Sequence, residues 1–405
     1  MKKCYNIFII MIVLISGINL KSSAQNMKRI VADAEKQTTL MLDQINQSKA
    51  TWNNESKNKI KPEVVSPRTL SPEGKLILVP SKDWTSGFFP GVLWLLYELT
   101  GEKKWEDQAR VFTANIEGEK LNGKTHDMGF KIYCSFGTGY RLTSDPKYKE
   151  VIIESAKTLS KRFNSKVGCI RSWDHNKDKW DFPVIIDNMM NLELLFAATR
   201  LSGDSSFFKI AVSHANTTMK NHFRPDFSSY HVIDYDTLTG KVLHRNTHQG
   251  FRDESAWARG QAWALYGYTM CYRETHDPKY LQQAENIAAF ILNHPNMPKD
   301  MVPFWDFNAG NIPEEPRDAS AGAIIASAFL ELSTFINNAS LYRNRADQII
   351  ESLTKNYRSP IGENKGFILI HSTGSKPMNS EVDVPLTYAD YYYLEALSRS
   401  KRNKK

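Results

Sequence analysis

The chain has 405 residues, 41% hydrophobic and 24% charged, a globular balance with enough apolar material for a sizeable core. Its formal net charge is +8, but Lys2, Lys3 and the tail residues Lys401, Arg402, Lys404 and Lys405 carry six of those charges. The body is therefore only mildly basic, which argues against a nucleic-acid partner and is compatible with an anionic sugar.

The first element in chain order is a targeting segment. Lys2 and Lys3 form a positive head, Ile7–Ile15 is almost wholly apolar, and Ser22-Ser23-Ala24 supplies small residues before Gln25. This pattern predicts a signal peptide over residues 1–24, cleaved after Ala24. The apolar run is short for a membrane span, and Cys4 precedes it, where a lipoprotein cysteine cannot sit. The expectation is a periplasmic or secreted protein, free of the membrane after cleavage, with residues 25–405 forming a single domain. Cys134, Cys169 and Cys271 are odd in number and lack metal spacing, so buried free thiols are expected rather than a disulfide framework.

Helical periodicity and caps place about twelve helices along the remainder. Their starts fall near Met27, Gly87, Lys103, Gly129, Pro146, Asp187, Ser205, Ala256, Pro278, Ala319, Ser340 and Leu386. One pattern recurs between them: a polar turn, an aromatic, and a small or apolar residue four positions later. Thr100-Gly101-Glu102 leads to Trp105 and Ala109, Ser202-Gly203-Asp204 to Phe207 and Ala211, and Thr275-His276-Asp277 to Tyr280 and Ala284. Such turns break one helix and cap the next, and their repetition predicts stacked antiparallel hairpins. Twelve helices in six hairpins fit an all-α (α/α)6 barrel. Lys75–Pro80, Val167–Val184 and Ser229–Arg245 read as loops or short strands.

The even-numbered helices are rich in small and aromatic residues and should form the inner ring, with all their starts on one face. Ahead of them stand Trp84, His126-Asp127, Asp187, the group Asp253, Trp257 and Arg259, then Arg317-Asp318, and Glu381 with Asp383. Capping accounts for some of the aspartates, but not for the Trp, His and Arg beside them. Asp187 lies between Ile185-Ile186 and Met189-Met190, and partial desolvation there would keep its carboxyl protonated near neutrality, as a general acid requires. Asp127, in Thr125-His126-Asp127-Met128-Gly129-Phe130, is the second candidate. Arg259 and Trp263, four apart on one helix face, offer a guanidinium beside an aromatic platform, suited to a sugar carrying a carboxylate. His231 and Gln249 precede that helix. Each taken alone reads as a structural hydrogen-bonding group, and Trp84 either floors a subsite or packs. No metal-ligand spacing, phosphate loop, dinucleotide fingerprint or nucleophile elbow is present, so no cofactor or metal is expected.

Asp83-Trp84-Thr85-Ser86-Gly87-Phe88, His126-Asp127-Met128-Gly129-Phe130, Asp187-Asn188-Met189-Met190-Asn191-Leu192 and Ser255 to Trp263, in this order and spacing, resemble the unsaturated glucuronyl hydrolases, family 88 of the glycoside hydrolases. The resemblance runs from about Trp84 to Tyr393. It implies an (α/α)6 barrel that removes the 4,5-unsaturated uronic acid from lyase-generated oligosaccharides by hydrating the C4=C5 enol ether. It assigns Asp187 as acid/base and Asp127 as the second essential aspartate, with Trp84, His231, Gln249, Arg259 and Trp263 as substrate-binding positions. His371-Ser372-Thr373-Gly374-Ser375-Lys376-Pro377 resembles a loop that holds a sulfate through Ser372, Ser375 and Lys376, or is a plain turn. Three alternatives stay open: an unsaturated rhamnogalacturonyl hydrolase, an inverting glycosidase with Asp318 or Asp383 as base, and a non-catalytic glycan binder.

Overall fold

A polar turn between two amphipathic helices builds this molecule, and the residues in those turns explain why. Gly101, Ser144, Gly203 and His276 each adopt the left-handed conformation that ends a helix. Asp145, Asp204 and Asp277 then accept the backbone N–H two residues on and start the next helix. The aromatic that follows, and the residue four positions after it, are buried, as at Trp105/Ala109 and Tyr280/Ala284.

The computed structural model describes residues 25–50 and 64–403. The expected signal peptide, residues 1–24, lies outside the described residues. Twelve α-helices run through the described chain: α1 (25–50), α2 (Phe88–Thr100), α3 (Lys103–Ala114), α4 (Thr138–Thr143), α5 (Pro146–Ser160), α6 (Leu192–Ser202), α7 (Ser205–Asn221), α8 (Ala258–Thr275), α9 (Pro278–Asn293), α10 (Ala319–Leu332), α11 (Ala339–Asn356) and α12 (Thr387–Arg402). Two inner helices begin with irregular turns: a π-helix, Gly129–Gly137, runs into α4, and a 3₁₀ turn, Ile186–Asn191, runs into α6.

The inner ring closes on itself. The segment from the π-helix through α4 packs on α2 and α6, α6 on α8, α8 on α10, α10 on α12, and α12 on α2. The outer helices α3, α5, α7, α9 and α11 each pack on the inner helix that precedes them, as α3 does on α2 and α9 on α8. This is the expected (α/α)6 barrel. Composition follows position: every residue of α10 is buried, whereas α11 buries six of 18. Helix α1 completes the outer ring. Gln37 Nε2 donates to the Phe367 carbonyl at 2.9 Å, and Gly366, at φ +92°, lies so close that a Cβ there would meet the Met41 nitrogen at 2.4 Å.

The three cysteines within the described residues are buried and free, as expected. The inner helices' C-terminal ends are tied by ion pairs, Arg273 to Glu331, Arg399 to Glu331 and Arg141 to Glu98, and Arg273 also reaches Glu193 in the first turn of α6. Their N-terminal ends open on the other face, among loops and short strands. There β1 (Val64–Leu70) pairs with β2 (Leu76–Pro80), and β3 (Phe163–Asn164) with β4 (Cys169–Ile170). A three-stranded sheet follows in the order β5 (Pro183–Ile185), β6 (Val232–Tyr235), β7 (Val242–Asn246).

Candidate active site

The small sheet assembles the centre of the site. β5 and β6 are antiparallel with Ile185 opposite Val232, so Asp187, just after β5, meets His231, just before β6. β7 pairs Asn246 with Val232 and delivers His248 and Gln249 to the same place. The backbone N–H groups of His248 and Gln249 both donate to His231 Nδ1, each at 3.1 Å. Nδ1 is therefore an acceptor, and the neutral ring carries its proton on Nε2. Burial, with the charges of His248 and Arg259 adding to it, holds His231 well below the usual histidine range, so it stays neutral. Its Nε2 faces Asp187 Oδ2 at 3.6 Å, and its ring lies on Trp257 with centroids 4.6 Å apart.

Asp187 is 9% exposed, and its Oδ2 has no hydrogen-bond partner in the protein. Burial raises its carboxyl to about 6, outweighing the nearby charges of His126 and Arg259; the negative charge of Asp127 adds to the rise. Asp127 differs. Burial works against its charge, but His126 Nε2 at 3.1 Å, the Thr125 hydroxyl at 2.6 Å and the charge of Lys131 outweigh it, and its carboxyl is held below the usual range. Neither aspartate caps its helix. The capping alternative is thereby removed, and two neighbouring carboxylates with opposite shifts remain, the arrangement that separates an acid from a permanent anion.

Gly129 holds the two aspartate-bearing segments together. A Cβ there would fall 2.5 Å from Asn191 Cα, and Asn191 Oδ1 accepts from the Phe130 N–H at 3.0 Å. The irregular turns thus sit where the carboxylates are aimed.

Other predicted residues sit differently from expectation. Arg259 is 1% exposed and engaged with the protein: Nη1 donates to Asp318 Oδ2 at 2.7 Å and to the Thr373 carbonyl, and Nη2 to the Gly374 carbonyl at 2.6 Å. Trp263 is wholly buried between Phe130 and Tyr392, at 5.1 and 5.3 Å. The two share a helix face, as expected, and that face points into the barrel, where the guanidinium is already bonded to Asp318 and to the Thr373 and Gly374 carbonyls. Trp84, half-buried, lies 5.0 Å from the Tyr388 ring and 5.4 Å from Phe130. Gln249 Nε2 donates to the Gly374 carbonyl at 3.1 Å, so Arg259 and Gln249 both clamp the 372–376 loop. The hydroxyls of Ser372 and Ser375 on that loop are buried without a protein partner, as are Trp263 Nε1 and the Tyr388 hydroxyl. Buried polar atoms left unpaired by the protein are open to bonding by water or a ligand. Lys376 pairs with Glu315.

The proposed inverting bases are accounted for elsewhere. Asp318 caps α10 through the Ser320 and Ala321 N–H groups and neutralises Arg259, and Asp383 bonds the exposed His371 at 2.7 Å. Replacing Asp318 by Ala leaves a buried guanidinium unpaired and is expected to cost about 3–5 kcal/mol, read by denaturant unfolding. His248 and Tyr388 belong to the site without having been singled out in the sequence, and His126 and Trp257 were noted only as flanking the inner-helix starts. His126 was visible beside Asp127, but the partnership of His231 with His248 depends on sheet pairing.

A barrel of this kind, with two inequivalent carboxylates at the mouth of its inner ring, defines a carboxylate glycosidase. Residues 71–399 match the family described as Glycosyl Hydrolase Family 88. An unsaturated glucuronyl hydrolase of Formosa agariphila is 57% identical over 338 residues, covering 83% of this chain and 84% of that protein. An unsaturated chondroitin disaccharide hydrolase of Streptococcus pyogenes is 31% identical, covering 82% and 85%. A crystal structure described as an unsaturated glucuronyl hydrolase specific for heparin superposes with a TM-score of 0.86 at 48% identity, covering 93% of this chain and 97% of that one. The chain belongs to glycosyl hydrolase family 88, among its unsaturated glucuronyl hydrolases.

Proposed function

We propose that this enzyme removes the 4,5-unsaturated uronic acid from glycosaminoglycan fragments made by lyases, heparin-type disaccharides foremost, by hydrating the enol ether. The observation that carries the mechanism is Asp187: a carboxyl raised to about 6, with one oxygen unpartnered and facing a neutral His231. The likeness to the heparin-specific structure supports the substrate class.

In this reading the Asp187 proton goes to C4, and positive charge develops over C5 and the ring oxygen. The ionised Asp127 stabilises that charge. Water then adds to C5, losing a proton to Asp187, and the hemiketal breaks its bond from C5 to the ring oxygen. A ketone forms at C5, and the hemiacetal left at C1 expels the remaining saccharide. Proton and water add to adjacent carbons, so one carboxyl serves twice, whereas ordinary glycosidases need two across the glycosidic bond. His231 Nε2–H donates toward the Asp187 oxygen or the incoming water. Trp84 borders the sugar, and Ser372 and Ser375 face its polar groups. Arg259 and Gln249 act through the loop they hold.

Asp187 donates only when protonated. Above about pH 6, kcat/KM is expected to fall toward tenfold per pH unit. In Asp127→Asn the residual activity should place this limb at lower pH, because the Asp127 charge helps to raise Asp187. A flat profile to pH 8 contradicts the assignment.

A panel of unsaturated disaccharides from heparin, chondroitin, hyaluronan and rhamnogalacturonan tests the substrate class. Loss of ultraviolet absorbance is expected on the glycosaminoglycan members. Loss confined to the pectin-derived member would transfer the enzyme to that substrate, and binding without loss would make it a glycan binder. We also infer export with cleavage after Ala24, supported by the composition of residues 1–24. N-terminal sequencing of the mature protein checks it, and a protein beginning at Met1 would overturn it.

A further inference from the structure

The segment that carries Asp127 also carries a buried lysine. Lys131 follows Asp127 by four residues, its N–H donates to the Asp127 carbonyl at 3.0 Å, and its side chain is wholly buried in the π-helix. Its Nζ donates to Glu119 Oε2 at 2.6 Å. Glu119 lies on a separate 3₁₀ turn, Glu117–Leu121, and is itself buried. It also accepts from Asn122 Nδ2 at 2.7 Å and, on Oε1, from the Ser81 hydroxyl at 2.8 Å, just ahead of Trp84. The backbone is close-packed here: a Cβ on Gly87 would lie 2.2 Å from the Lys131 carbonyl oxygen. A buried ion pair seldom adds stability, because two apolar side chains fill the same space without stripping water from two charges. Packing alone therefore does not account for this lysine.

Its neighbours do. Once Asp187 has protonated C4, two neighbouring carboxylates are both ionised, and like charges at close range draw a proton onto one of them. Turnover is completed only if that proton goes to Asp187. The groups that set the balance are His126 and Lys131 on the Asp127 segment, His231 ahead of β6, and Arg259 on α8, which Asp318 neutralises. His126 acts on both carboxyls, Arg259 on Asp187 and Lys131 on Asp127. We propose that Lys131, paired with Glu119, is a positioning residue for the proton: its buried charge keeps Asp127 ionised through the cycle, so that the proton taken from water returns to Asp187. Glu119 offsets the lysine charge at longer range, so the cation developing on the sugar is not opposed. This rests on the reaction assigned above.

The pH dependence of kcat and kcat/KM on an unsaturated heparin disaccharide, from about pH 3 to pH 8, tests it. In the unaltered enzyme the acid limb, where Asp127 takes a proton, is expected below 3.8, and the alkaline limb, where Asp187 loses one, at about 6. Lys131→Met should raise the acid limb by about one pH unit, a tenfold loss on its low side, and leave the alkaline limb in place. Lys131→Met with Glu119→Gln removes both charges, so the fold does not have to bury an unpaired one. It should raise the acid limb in the same direction by less. Glu119→Gln alone leaves the lysine charge uncompensated and should not raise it. Equal losses at every pH in Lys131→Met and in the double variant, with the acid limb unmoved, would show that the pair only packs and would overturn the proposal. So would an acid limb raised as far by Glu119→Gln as by Lys131→Met. Absence of the alkaline limb from the unaltered enzyme would instead remove the assigned reaction, and this inference with it.

Discussion

Replacing Asp187 by Asn is expected to lower kcat/KM by about 10³-fold while making the folded protein more stable at neutral pH. The loss follows from removing a group that both delivers and takes the proton; general acid–base catalysis commonly contributes about 10²–10⁴-fold. The gain follows from burial. Asp187 ionises near 3.8 when unfolded and at about 6 when folded, so the native state resists its charge. The penalty is absent below pH 3.8, grows between the two values, and is fully present above about pH 6. Its size is on the order of 3 kcal/mol, at about 1.4 kcal/mol for each pH unit of displacement. Thermal unfolding should show Asp187→Asn raised by a few degrees at pH 7.5, with the advantage shrinking toward pH 4. Full activity in a folded Asp187→Asn protein would end the acid/base assignment. Lower stability at pH 7.5 would remove the desolvation argument for it.

Asp127→Asn is expected to cost about 10²–10³-fold in kcat, the scale seen when a group aimed at developing charge is removed. Its effect on stability should have the opposite sign. The Asp127 carboxyl is held below the usual range by His126 and Thr125, so its charge stabilises the fold above the unfolded value, and that stabilisation is lost as pH falls through the lowered folded value. Asp127→Asn should therefore unfold at lower temperature than the unaltered protein at pH 7.5, and the difference should narrow in acid. Two adjacent isosteric replacements that move stability in opposite directions would separate the acid from the permanent anion without reference to activity. Destabilisation of equal size by both would contradict the electrostatic account.

Local features of the chain were readable because local interactions decide them. The helix starts near Lys103, Pro146, Ser205, Pro278 and Ala319 coincide with those in the structure, because caps and left-handed stops depend on a few neighbouring residues. Asp187 was readable as a desolvated acid from Ile185-Ile186 and Met189-Met190, whereas the opposite shift of Asp127, set by His126 and Thr125, was not read from its neighbours. The irregular turns at Gly129–Gly137 and Ile186–Asn191 were not readable, since the contact between Gly129 and Asn191 that shapes them joins separate parts of the chain. The protein contacts of Arg259 and Trp263 were not readable for a related reason. Helical spacing gives a shared face, but only the closed ring decides whether that face meets solvent or the Thr373 and Gly374 carbonyls. The tautomer of His231 likewise depends on β6 and β7 pairing in one register.

The central claim is that the double bond is attacked, not the glycosidic bond. A single turnover of excess enzyme on a heparin-derived unsaturated disaccharide, followed at once by ultraviolet absorbance and by quenched-flow detection of the released hexosamine, tests it directly. Hydration at C5 predicts that absorbance is lost no later than the hexosamine appears. Hexosamine appearing first, with the absorbance persisting on the freed uronate and decaying afterwards at a rate independent of enzyme, would contradict it.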